Sequence, residues 1–161
     1  MNANANSARS RAIRRNAPRA FIENTTTVLV RFNEVDSLRV VWHGHYVNYF
    51  EEGRRAFGRR LGIDYTTLIE QGVAVPVIRL EVNYLAPAGL ADTLAVTTRL
   101  LKSDSARLDF DYEIRRQAGG TLLVTGSTSQ VFTTPAGELL LNWPPFMLER
   151  IQSWQPLWKL P

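Results

Sequence analysis

The chain has 161 residues, 45% of them hydrophobic, with no cysteine and a formal charge of +4. That length suits one domain with a real core and is too short for two ordinary ones. The missing cysteines exclude disulfides, thiolate nucleophiles and cysteine-ligated zinc, and they favour a reducing, cytoplasmic setting. No run approaches the roughly 18 apolar residues that a membrane span requires, and the N-terminus lacks the apolar core of a secretory signal.

The positive charge is concentrated at one end. Arg9, Arg11, Arg14, Arg15 and Arg19 fall in the first twenty residues without a single acid, and without these five arginines the remainder is one unit negative. A nucleic-acid partner is therefore not expected of the domain. Residues 1–22 read as a disordered basic tail, since Asn, Ala, Ser and Arg supply no apolar periodicity, and 23–161 as the folded domain. An acid-free leader containing Arg and Ser also resembles an organelle transit peptide; the solvated tail is the simpler reading.

In chain order, the β-branched run Thr26 to Phe32 predicts a first strand, and Asn33 to Gly44 an irregular connection. Tyr46, Phe50, Gly53, Phe57 and Leu61 then recur three or four apart, with Val47 on the same side. Asn48, Glu51, Glu52, Arg55 and Arg59 take the other face of this helix, and Gly62 stops it. A short helical turn, Tyr65 to Glu70, ends at Gly72. After Pro76 the period drops to two. Ile78, Leu80, Val82 and Tyr84 alternate with polar residues as in a half-buried strand, and Thr93 to Leu101, Leu108 to Arg115 and Thr121 to Thr133 follow as three more. Glu138 to Trp143 reads as a short extension, and Pro144-Pro145 opens a C-terminal helical turn. One strand, a long helix and about four consecutive antiparallel strands predict an α+β layer, a sheet wrapped on a helix. Such a sheet exposes two edges, so an oligomer is expected.

The residues useful for chemistry crowd into VRFNEVDSLRVVWHGHYVNYFEEGR, Val30 to Arg54. The run resembles the signature of the 4-hydroxybenzoyl-CoA thioesterase-like hotdog family. In that family an acid is followed by a Val-aromatic-His or similar triplet, a Tyr and an F-E-x-x-R helix. The matching pieces here are Asp36, Val41-Trp42-His43, Tyr46, and Phe50-Glu51 with Arg54. The resemblance extends over nearly all of the chain beyond the tail. It departs just after the acid, where the family commonly has small residues or glycine and this chain has Leu38-Arg39.

The resemblance implies a hotdog fold and hydrolysis of an acyl-CoA, or acyl-carrier-protein, thioester without metal or cofactor, in a homodimer or homotetramer. It implies Asp36 as nucleophile or general base, with His43 and Tyr46 beside it in the catalytic group. Val41, Trp42, Gly44, His45 and Arg39 are the substrate-binding candidates. Thiolate is a good leaving group, so such a site needs little beyond a delivered nucleophile and a stabilised oxyanion. Backbone N–H groups at the helix N-terminus, around His43 to Tyr46, suit the second task. No G-x-S-x-G elbow for a serine triad is present. His43 and His45 flank Gly44, but they lack the H-E-x-x-H spacing of a helical zinc site.

For the phosphates of CoA, Arg39, Lys102, Arg107, Arg115 and Arg116 are all candidates, and the sequence does not choose among them. A hotdog hydratase or dehydratase using Asp36 with His43, or a non-enzymatic acyl binder or scaffold, are the competing readings.

Overall fold

The computed structural model describes residues 18–161. Most of the basic tail, including Arg9, Arg11, Arg14 and Arg15 and the transit-peptide resemblance, lies outside them. Strand β1 (Phe21–Leu29) leads through a single 3-10 turn (Phe32–Glu34) to helix α1 (His45–Leu61), and α2 (Tyr65–Glu70) follows. Strands β2 (Val77–Tyr84), β3 (Thr93–Leu101), β4 (Arg107–Arg116) and β5 (Leu122–Val131) precede α3 (Pro145–Ser153). The five strands form one sheet in the order β1-β3-β4-β5-β2, with every neighbour antiparallel.

Alternation builds the two faces. In β3 and β4 the inward residues Leu94, Val96, Thr98, Leu100, Leu108, Phe110, Tyr112 and Ile114 are buried against α1. The outward face carries charges instead, with Arg99 bridging Glu23 and Glu113 at 2.7 Å each. Helix and sheet approach closely because two positions lack a side chain. The backbone of Gly53 sits against Thr98 and Val96, and a Cβ on Gly126 would fall 2.6 Å from the Phe50 ring. Phe50 stacks on Tyr112 with centroids 4.4 Å apart, and Phe57 meets Phe110 edge-on at 5.4 Å.

Helix α1 buries Tyr46, Tyr49, Phe50, Gly53, Phe57 and Leu61, so Tyr49 takes the place in the buried stripe that spacing assigns to Val47, which is only half-covered. Gly62, in the left-handed conformation at φ 70°, ends the helix, and Asp64 caps α2 by accepting from the Thr66 and Thr67 N–H groups.

Two further differences from expectation have physical causes. The first strand starts at Phe21 rather than Thr26, because its register with β3 is backbone pairing that FIENT enters without apolar alternation; Phe21 also exchanges both hydrogen bonds with Lys159. It takes in Phe21 and Ile22, two residues on the tail side of the expected boundary, and ends at Leu29, leaving Phe32 in the 3-10 turn. Strand β2, expected to be half-buried, is exposed along almost its whole length within the single chain, because it is the sheet's edge beyond β5 and α1 does not reach over it. Glu138 to Trp143 forms no strand; it is tied back by the bridge Thr133 to Leu139, the Leu140 N–H on the Phe132 carbonyl, and the Thr134 N–H on the Glu138 carbonyl.

Candidate active site

The connection between β1 and α1, expected to be irregular, is a small hairpin. The Trp42 N–H donates to the Glu34 carbonyl, Val35 pairs with Val41, and the Asp36 N–H donates to the Val40 carbonyl, each bond 2.9 Å long. Its turn runs from Asp36 to Arg39, closed by the Arg39 N–H on the Asp36 carbonyl at 2.9 Å. Asp36 Oδ1 accepts from the Leu38 N–H at 2.8 Å, which orients the carboxylate and leaves Oδ2 unbonded among the described residues. Arg39 takes φ 61°, a left-handed conformation. A type I turn followed by a left-handed residue is a standard hairpin closure, and glycine normally fills that last position because a Cβ there costs about 1 kcal/mol.

The hairpin is fastened on both sides. The Val41 N–H donates to Ala88, and Val40 bridges Gly89. The Ala88 N–H in turn donates to the Tyr46 hydroxyl at 2.9 Å. That second loop is held by Asp92, whose Oδ2 accepts from the Gly89 N–H and from Arg116 Nε, while Arg116 also donates to the Pro87 carbonyl. Burial pushes the Asp92 carboxyl up, but the Gly89 N–H and the Arg116 guanidinium outweigh it and hold the group below the usual carboxylate range.

Beneath the hairpin lies Glu34, a buried acid. Its Oε2 accepts from the Arg31 N–H and from the Tyr49 hydroxyl, both at 2.8 Å. Burial, and then the Glu34 carboxylate, raise the Tyr49 phenol far above its ordinary value, so it stays a donor. Sequence reasoning missed this pair. The signal for it was faint: an acid two residues before Asp36, and a tyrosine on the apolar side of the helix.

At the N-terminus of α1 an open cleft of about 310 Å³ is lined by Val41, His43, Tyr46, Tyr84, Leu85, Ala86 and Pro87. Tyr84 donates its hydroxyl to the His43 carbonyl at 2.9 Å and meets the Tyr46 ring edge-on. The half-exposed Trp42 ring covers Gly44, where any Cβ would collide with it, and packs on His43 at 4.5 Å and on His45 at 5.6 Å. His45 Nδ1 also contacts the Asn48 amide. The N–H groups of His43, Gly44 and Tyr46 have no backbone acceptor among the described residues, while those of His45 and Val47 return to Trp42 and Gly44. Unbonded donors at a helix N-terminus have the chemistry to stabilise a developing oxyanion.

The structure thus gathers Val41, His43 and Tyr46 around the cleft, with Trp42, Gly44 and His45 forming its aromatic shoulder. Asp36 and Arg39 stand one step back, at the tip of the hairpin whose second strand ends in Val41. Among the described residues no three His, Cys, Asp or Glu side chains converge as metal ligands would. Of the other phosphate candidates, Lys102 lies over the Trp158 ring, Arg107 pairs with Asp109 at 2.7 Å, and Arg115 with Glu113 at 3.2 Å.

A helix wrapped by a five-stranded antiparallel sheet, with a largely apolar cleft at the helix N-terminus, is the architecture of the hotdog class. Residues 30–151 match the family model of the thioesterase-like superfamily, so the chain belongs to that superfamily. The acyl-CoA thioesterase YbgC of Haemophilus influenzae is 30% identical over 113 residues, covering 70% of this chain and 81% of that protein. Among solved structures, the DHNA-CoA thioesterase of Staphylococcus aureus superposes with a TM-score of 0.76 at 29% identity, covering 84% of this chain and 93% of that one. The protein TT1821 of Thermus thermophilus does so with a TM-score of 0.73 at 30% identity, covering 82% and 97%.

Proposed function

We propose that the protein hydrolyses acyl-CoA thioesters at the N-terminus of α1, with Asp36 supplying the nucleophile or activating a water. The observation that carries this reading is the conjunction of the Asp36 hairpin, registered residue by residue, with the unbonded N–H groups of His43, Gly44 and Tyr46 at the helix start. An acyl carbonyl lying against those N–H groups has its developing oxyanion stabilised where charge appears in the transition state. The carboxylate, or the water it deprotonates, adds to the carbonyl carbon; the C–S bond then breaks and the thiolate leaves. By the direct route a water then cleaves the resulting acyl anhydride, releasing the acid and restoring the Asp36 carboxylate.

His43 orients the water or the thioester from the cleft wall. Tyr46 acts through its buried hydroxyl, which accepts from Ala88 and keeps its own proton to donate. Val41, Trp42, Gly44 and His45 form the wall against which the acyl and pantetheine ends lie, and Arg39 stands at the rim. The similarity to relatives named acyl-CoA thioesterases supports CoA as a thiol carrier. Among the described residues no helix is long and apolar enough to cross a membrane, and the cytoplasm is the proposed setting.

The site is proposed to work in a homodimer or homotetramer. Edge strand β2 leaves one side of its backbone unpaired and exposes Val77, Ile78, Leu80 and Tyr84. Antiparallel self-pairing of β2 about a twofold axis covers both at once and brings a second copy next to Tyr84 of the cleft. Light scattering after size-exclusion chromatography separates dimer from tetramer, and a monomer would refute the assembly.

The decisive assay follows CoA release from a panel of acyl-CoA and aryl-CoA thioesters with a thiol reagent. Asp36→Asn should lower kcat at least about a hundredfold while leaving the folded state intact. Full turnover in that variant, or hydration of enoyl-CoA without thiol release, would overturn the proposal.

A further inference from the structure

The turn at Asp36 carries an unexplained cost. Arg39 occupies a position at φ 61° where glycine is the relaxed choice, and its exposed guanidinium makes no ion pair or hydrogen bond among the described residues. Nothing in the fold is repaid by having an arginine there. Ala91, at φ 64°, shares this conformation with no functional group to offer, so it is the strain together with the unpartnered guanidinium that marks Arg39 as a residue serving something outside the fold. The other basic candidates are already engaged: Lys102 by Trp158, Arg107 by Asp109, Arg115 by Glu113, and Arg116 by Asp92 at 2.9 Å. Arg31 is exposed near the same hairpin, but its backbone at φ −93° is relaxed, so it carries no comparable mark.

From these observations we infer that Arg39 is the specificity-determining contact for the pyrophosphate of the CoA carrier. The inference rests on the thioesterase reading above and deepens it. The turn keeps the Cα atoms of Asp36 and Arg39 within about 7 Å of each other. On this inference the pantetheine arm leaves the cleft past the tip of this hairpin, where an extended arginine side chain would meet it. The first charged group met along that arm is the pyrophosphate, and a planar guanidinium with five donors matches its oxygens. A backbone that fixes the Cα of a long side chain in one conformation also reduces what binding must order.

The test compares the wild type with R39G, which relieves the backbone, and R39Q, which keeps the backbone cost and removes the charge. Each is assayed on one acyl group carried by CoA, by dephospho-CoA, which keeps the pyrophosphate, and by pantetheine, which lacks it. The expected result is that kcat/KM for acyl-CoA divided by that for acyl-pantetheine falls about tenfold in both variants, the size of one lost charge-assisted contact. Acyl-dephospho-CoA should follow acyl-CoA, and Tm in R39G should be unchanged or raised by a few degrees. An unchanged ratio, an equal fall on all carriers, or a lowered Tm in R39G would overturn the inference.

Calorimetric binding of CoA against pantetheine reads the same contact without turnover. If no thioester is hydrolysed but Arg39 still confers preference for CoA, the hydrolysis proposal fails and this inference stands. If hydrolysis proceeds while CoA and pantetheine bind alike, the inference alone fails.

Discussion

Replacing Tyr49 by Phe tests whether the buried Glu34–Tyr49 bond holds the hairpin that carries Asp36. The substitution keeps the ring in a site that is only 1% exposed, so no cavity opens and the loss is confined to one O–H donor. That donor lies 2.8 Å from Glu34 Oε2, whose one remaining donor is the Arg31 N–H. A hydrogen bond to a charged group contributes about 2 kcal/mol. For a domain of this size that corresponds to a fall in Tm of about 4–8 °C. Tyr112→Phe is the internal control, since it removes a bond of the same 2.8 Å length to the neutral Thr128 hydroxyl and should cost about half as much. Thermal unfolding by circular dichroism measures both. The hairpin enters through activity: with the Glu34 floor loosened, kcat on an acyl-CoA should drop in Tyr49→Phe and hold in Tyr112→Phe. Equal Tm losses, or a Tyr49→Phe protein as stable as the wild type, would refute the claim that a buried charge is being satisfied there.

Asp111, on the outward face of β4, has its carboxyl raised by burial, with Asp109 and Glu81 adding to the rise against partial relief from Arg19 and Arg99. Because its folded pKa lies above the unfolded one, it favours folding only when protonated, and that contribution is lost as pH climbs through the raised value. Asp111→Asn should therefore increase Tm at pH 7 and confer nothing at about pH 3, where both forms are neutral; equal gains at both pH values would refute the assignment. Its neighbour Asp109 is the opposite case. Burial pushes it up, but the Ser129 hydroxyl, Arg107 and Arg19 more than offset this and hold it low, so Asp109→Asn should destabilise at neutral pH and cost progressively less below about pH 4 in a urea titration. Gly126→Ala should lower stability by about 1–3 kcal/mol, because its Cβ would fall 2.6 Å from both the Phe50 ring and the Glu81 carbonyl. A chemical denaturation midpoint equal to that of the wild type would show that the helix can shift away.

Much of this architecture can be read from the amino-acid order, for a reason visible in particular residues. Between Arg107 and Arg116 every second side chain is apolar and every other one charged, because one face meets α1 and the other carries paired and half-covered charges, so period and strand bounds coincide. The long helix is legible for the same reason, up to Tyr49: a tyrosine scores as ambiguous until the acid that takes its hydroxyl is brought to it. That acid is fifteen residues away and reads as one more loop carboxylate. β2 misleads in the other direction. Its alternation is real, but its own chain leaves the strand uncovered, so within one copy the pattern does not translate into burial.

The same contrast separates what was legible in the site from what was not. Residue types announce Asp36 and the Val41 to Tyr46 run; what they do not announce is the rigidity that makes a lone carboxylate useful. A loop acid free to wander loses most of the advantage of proximity, since effective molarity depends on holding the reacting atoms near their attack geometry. Here the freedom is removed by backbone pairing on one side to Val40 and Val41, on the other to Ala88 and Gly89, and from below by Glu34. Two of these fastenings end in tyrosine hydroxyls of α1, Tyr46 and Tyr49, so the helix whose N-terminus is the proposed oxyanion site also positions the hairpin that carries the proposed nucleophile. Displacing the helix by a fraction of an ångström would move both halves of the proposed site together, and the close Gly53 and Gly126 contacts that seat it on the sheet oppose such a displacement.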